Sequence, residues 1–113
     1  MTSTTVSTSD RIRELNDAFR RTFVGGLVLI TAGVEAMPAD QRRALLAKVR
    51  AFDTFTEDND PHGEHDFGAV DEDGVRFLWK VDHYDRAIEF GSPDPADPAV
   101  TTRVLTIMRA DEY

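Results

Sequence analysis

The chain has 113 residues, 41% of them hydrophobic, and 21 acidic side chains against 13 Lys plus Arg, a formal net charge of −8. That length fits one domain with a core of its own, and the absence of cysteine excludes disulfides and thiolate metal sites and suits a reducing cytosol. The negative balance disfavours direct nucleic-acid binding, which needs positive potential.

The charge is divided along the chain. Residues 1–52 carry 8 basic and 5 acidic side chains, whereas residues 53–113 carry 5 basic and 16 acidic ones. Residues 53–73 hold 9 acids and neither Lys nor Arg.

Residues 1–9, rich in Ser and Thr, read as a flexible tail. They lack the cationic start and apolar stretch of a secretory signal. Residues 10–113 read as a single domain. Ile12, Leu15, Phe19 and Phe23 recur at spacings of three and four, which predicts a helix over 10–23 capped by Ser9 or Asp10. Arg13 and Arg20 share a flank of it and are expected on a solvated face. Residues 26–31 include the unbroken apolar run Leu27, Val28, Leu29 and Ile30, expected as a buried strand. This run is far too short to span a membrane. Gly33 suggests a turn, and Pro38 sits where a helix start tolerates it. A second helix is expected over 39–52, with Leu45, Leu46, Val49 and Phe52 on one side.

Residues 53–65 have no apolar period and read as a loop. Strands are expected over 66–72 and 75–84, joined by Asp73-Gly74, a strong two-residue hairpin signal. That turn sets Glu72 opposite Val75, Val70 opposite Phe77 and Gly68 opposite Trp79, with Gly68 leaving room for the indole. A short strand over 87–90 follows. The connector 92–98 is rigid with proline. Asp97 and Pro98 then open an expected last helix to about residue 110, with Val100, Val104, Ile107 and Met108 on one face. The order α-β-α-β-β-β-α implies an α+β fold, three helices packed on a small, mainly antiparallel sheet.

Extended in register, the same hairpin sets His65 opposite Asp82 and Glu64 opposite His83. His62, His65, Asp66, Asp82 and His83 thereby become candidate ligands for a divalent metal such as zinc or manganese. A metal held there suits a hydrolase or nuclease built on His62, His65 and Asp66. The His62-Gly-Glu-His65 spacing is not the helical metalloprotease pattern, and the loop lacks the closing Glu of a calcium loop, since Ala69 stands there. No nucleophile elbow or phosphate cradle is present. The other reading is an interaction protein. Asp58, Asp60, Glu64, Asp71 and Glu72 would offer an acidic surface to a protein partner with a basic one.

Four segments carry a resemblance: DNDPHGEHDFG at 58–68, WKVDHYD at 79–85, GSPDPADP at 91–98, and RVLTIM at 103–108 with the closing Glu112 and Tyr113. Over residues 11–113 they resemble a bacterial family known as a domain of unknown function, number three-seven-six-eight. The resemblance implies a small, soluble and mostly alphaproteobacterial protein, often borne on plasmids and other mobile elements; a cytoplasmic location is expected from the cysteine-free composition. It implies no activity, cofactor or catalytic residue. His83 stands where such sequences commonly have Tyr, which makes His62 and His65 the stronger candidate ligands. An acidic protein of mobile elements suggests an anti-defence inhibitor that presents carboxylates where a host nuclease expects phosphates.

Overall fold

The structure is a computed structural model and describes residues 7–113. Helix α1 (Thr8–Thr22) starts where the Ser7 hydroxyl accepts from the Asp10 N–H at 3.1 Å, so the cap lies ahead of the expected Ser9 or Asp10. It ends at Phe23, whose left-handed backbone (φ 61°) returns its N–H to the Phe19 carbonyl. Strand β1 (Gly26–Ile30) follows, then the single helical turn α2 (Ala32–Glu35) where Gly33 suggests a simple turn. Helix α3 (Ala39–Ala51) comes next. The long loop leads into the hairpin of β2 (Phe67–Glu72) and β3 (Val75–Tyr84), and the chain closes with β4 (Thr102–Arg109).

Among the described residues the fold is α+β, with three α-helices and one four-stranded sheet in the order β1-β4-β3-β2. The sheet is mixed: β1 runs parallel to β4, and the other two pairings are antiparallel. The hairpin has the register that Asp73-Gly74 demands, with Glu72 opposite Val75 and Gly68 opposite Trp79.

The last third of the chain corrects the expected element order. Residues 102–109 form the strand between β1 and β3, in place of the expected final helix. Val100, Val104, Ile107 and Met108 do fall at helical spacing, but Val104, Leu105, Ile107 and Met108 are all buried. A central strand whose side chains are buried on both faces, here by the helices on one and by flanking side chains of β1 and β3 on the other, loses its alternation and mimics a helical stripe. The β-branched Thr101, Thr102, Val104, Thr106 and Ile107 favour the strand. The helix-start signal is real but brief: the Asp97 carboxylate caps the Ala99 N–H at 2.9 Å, and one 3-10 turn follows (Pro98–Val100). Residues 87–90 are a turn, not a strand, because the Asp85 side chain accepts from the Glu89 N–H and Ile88 adopts φ 57°.

Phe77, Trp79 and Val81 of β3, with Leu105 and Ile107 of β4, face the helices and meet Phe19, Val34, Leu45 and Val49. Trp79 is wholly buried, and its indole fills the space where a Cβ on Gly68 would sit: Nε1 and Cε2 lie at 2.5 and 2.6 Å from that point. Among the described residues, the opposite face of the sheet carries no α-helix. Gly68→Ala therefore forces the indole out of its place and costs about 2 kcal/mol. Gly91→Ala, with open space at its Cβ and an ordinary φ, stays within about 0.5 kcal/mol. Urea denaturation of the two variants checks the contrast.

Candidate functional site

Of the residues singled out for chemistry, Asp60, Glu64, His65 and His83 lie where α1, the long loop and one end of the sheet meet. The apolar stripe of α1 is interrupted by Asn16 and Arg20, both fully buried. Arg20, expected on a solvated flank, is instead enclosed, because the end of α3 leaves carbonyls that need donors. Its Nε donates to the Val49 carbonyl at 3.1 Å and its Nη2 to the Phe52 carbonyl at 2.9 Å. Its Nη1 bonds the Asp17 carboxylate at 3.0 Å. The guanidinium also lies over the Trp79 and Phe55 rings, 4.9 and 5.4 Å from their centroids. Burial lowers its pKa, and Asp17 pulls the other way.

Asp17 links this cation to the loop, since His65 Nδ1 lies 2.9 Å from its carboxylate. His65 has a left-handed backbone (φ 53°) and stacks on Phe55 with centroids 3.6 Å apart. The buried Asp60 carboxylate accepts from the His65 backbone N–H and lies 3.6 Å from its Nε2. The β2–β3 ladder continues as far as the bond from the Val81 N–H to the Asp66 carbonyl. The left-handed turn at His65 then carries the chain off the ladder toward α1. This bend separates the histidines that an extended register would bring together.

His83 has another partner. Its Nε2 lies 3.0 Å from the Asn16 Oδ1, which also accepts from the Arg103 Nε at 2.8 Å. The Asn16 amide donates to the Glu64 carbonyl at 3.0 Å. Arg103 reaches the Pro95 carbonyl as well and so ties down the proline connector. An Asn oxygen accepting from both sides needs a proton on His83 Nε2. Burial and the Arg103 charge lower the His83 pKa to about 4, so the ring is neutral at pH 7. Burial raises the pKa values of the Glu64 and Asp66 carboxyls; the Asp66 charge adds to the shift of Glu64, and the charges of Asp60 and Asp82 add to that of Asp66. His62 is exposed, and Asp82 faces the open side of the sheet, 3.0 Å from Lys80 Nζ. Among the described residues, no three His, Asp or Glu side chains converge closely enough to hold a metal ion.

The five acids expected to face a partner have different settings. Asp58 is exposed. Asp60 is buried against His65. Glu64 is half-buried, Glu72 is 2.6 Å from Lys48, and the exposed Asp71 bonds Arg76. Asp53 and Glu57 are exposed beside Asp58 on the loop and have no ion-pair partner among the described residues. Their only sequence signal is membership of the base-free acidic stretch. The loop that bears them is held firmly. Phe55 packs edge-on to Phe52 and Trp79. The Asn59 side chain accepts from the Thr56 N–H at 2.8 Å and donates to the Thr54 carbonyl at 2.9 Å.

The helix-free face of the sheet holds a groove of about 600 Å³, whose lining includes Leu27, Leu29, Val104, Met108 and Tyr113, with Lys80 and Asp82. A family model described as "Protein of unknown function (DUF3768)" matches residues 30–112. No curated protein and no solved structure matches the chain.

Asn16→Ala leaves Arg103 and His83 buried without their shared acceptor, and a loss of about 3 kcal/mol is expected in denaturant unfolding. His83 also makes stability depend on pH. Its unfolded pKa is near 6.5, so between pH 6.5 and 4 the unfolded chain binds a proton that the folded chain refuses. Its contribution is complete above the unfolded pKa and is lost as pH falls toward the folded one. Wild type is expected to lose stability relative to His83→Gln across that window and not above it. Parallel melts at stepped pH read the difference, and the opposing contribution of Glu64 and Asp66 cancels in the comparison.

Proposed function

The chain belongs to this family of proteins of unknown function, and we propose that it is an interaction protein whose acidic loop engages a basic protein surface. One observation carries the reading. Asp53, Glu57 and Asp58 stand exposed, without ion-pair partners among the described residues, on a loop fixed by Phe55 and Asn59. A fixed loop does not have to be ordered at the moment of binding, and that raises the affinity of a modest contact. Of the other acids of the stretch, Asp60 supports the loop, Asp71 and Glu72 pair with cations, Asp73 bonds Gln41, and Glu64 and Asp66 are half-buried, which leaves these three to meet a partner. A protein that binds nucleic acid presents the matching positive surface, and a nuclease is one such partner. This is the chemistry an anti-defence inhibitor would use.

The test uses an arginine-rich peptide as probe, with binding followed by fluorescence anisotropy. The triple variant Asp53→Asn/Glu57→Gln/Asp58→Asn is expected to bind about tenfold more weakly, since each exposed pair contributes up to about 1 kcal/mol. Removing equal charge elsewhere, in Glu14→Gln/Glu35→Gln/Asp40→Asn, should have much less effect. Wild-type binding should weaken between about 50 and 500 mM salt. Equal binding by the two triple variants overturns the assignment.

A further inference from the structure

The two edges of the sheet are treated differently. At β2 the edge is guarded by charge: Lys48 Nζ donates to the Asp71 carbonyl at 2.7 Å and pairs with Glu72, and Asp71 holds Arg76. Such devices keep an edge from pairing with another chain. Among the described residues β1 (Gly26–Ile30) has no such device along its length, and the Glu112 carboxylate that meets Thr31 lies past its end. Leu27 and Leu29 are 46% and 51% exposed, and Val24 and Ile30 of the same region, with Ile88 beside the groove, are exposed as well. The bond from the Thr31 N–H to the Ile107 carbonyl sets the phase of the parallel ladder. Alternate residues of a parallel strand bond the same neighbour, so the backbone groups of Val28 and Ile30 project to the unpaired side.

Charge identifies the occupant. Residues 22–34 contain no ionisable side chain, in a chain of net charge −8. A charged partner gains nothing from such a surface. Two copies of this chain repel each other over most of their surface and can meet without repulsion only along an uncharged segment. The segment is itself an apolar strand with one free ladder, so it complements its own copy. We propose that a second copy of the chain pairs along β1, antiparallel about a two-fold axis, joining two four-stranded sheets into one of eight strands. An antiparallel edge pair is the arrangement in which both copies use the same patch. Leu27 and Leu29 of each copy then bury their exposed area across the junction, on the groove side of the sheet.

Sedimentation velocity of the intact protein over about 10 to 300 µM tests this. A species of twice the 12.6 kDa chain mass is expected. It should strengthen from about 50 to 500 mM salt, because screening relieves the repulsion between two acidic copies. Leu29→Lys should raise the dissociation constant at least about 100-fold, placing two like charges in an apolar contact. Leu29→Met should remain dimeric, as should Val75→Lys, which alters an exposed apolar residue at the hairpin turn. Circular dichroism confirms that the variants are folded. Hydrogen exchange on wild type reads the interface without mutation: the Val28 and Ile30 amides should gain protection with concentration. A monomer at every concentration overturns the proposal. So does a dimer in which those two amides stay unprotected, since that dimer is built elsewhere.

Discussion

The buried guanidinium of Arg20 holds together more of this molecule than any other side chain. A fully enclosed cation is costly unless each donor is used and an opposite charge is near. Here Nε and Nη2 donate to the Val49 and Phe52 carbonyls at the end of α3, and Nη1 donates to Asp17. The flat face of the group lies on Trp79 and Phe55. One side chain thus joins α1 to the end of α3, to the sheet and to the acidic loop. Asp17 carries the link onward to His65, whose ring stacks on Phe55. A lysine has neither the fork nor the planar face to replace it.

Asn16, a helical turn before Arg20, has the corresponding role toward the sheet. Its amide bonds the loop at Glu64, and its oxygen collects Arg103 and His83 from β4 and β3. The polar groups of these elements face inward and satisfy one another. This explains why the histidines do not act as a set. His65 answers to Asp17 and Asp60, His83 answers to Asn16, and His62 is left at the surface.

The helices cover only one face of the sheet. The other face keeps a groove floored by Val104 and Met108, and its β1 side ends in an unguarded edge. The acidic loop and this edge are built on different chemistry: exposed carboxylates on a fixed turn, and an uncharged apolar strand. The two surfaces respond to salt in opposite senses, which separates their roles experimentally.

Local chemistry was legible in the residues themselves. The Asp73-Gly74 turn fixed the hairpin register down to Gly68 against Trp79, because a two-residue turn leaves only one pairing. The first two long helices followed from their apolar spacing. Residues 102–109 were not legible as a strand, because burial on both faces is decided by neighbours distant in sequence, and a continuously apolar strand carries no period of its own. The place of β1 at an edge depends on β4 entering beside it, so of the apolar run 27–30 that reads as buried only Val28 packs on the core, and Leu27, Leu29 and Ile30 are exposed. Arg20 looked like a surface charge, since nothing along the chain announces the free carbonyls at the end of α3. The features written into the chain are those whose signals lie within a few residues of one another: the two long helices, the tight hairpin and the acidic character of the loop. Which polar groups meet is a property of the packed molecule, because donors and acceptors such as Arg20 and Val49, or Asn16 and Arg103, become neighbours only after the chain has folded.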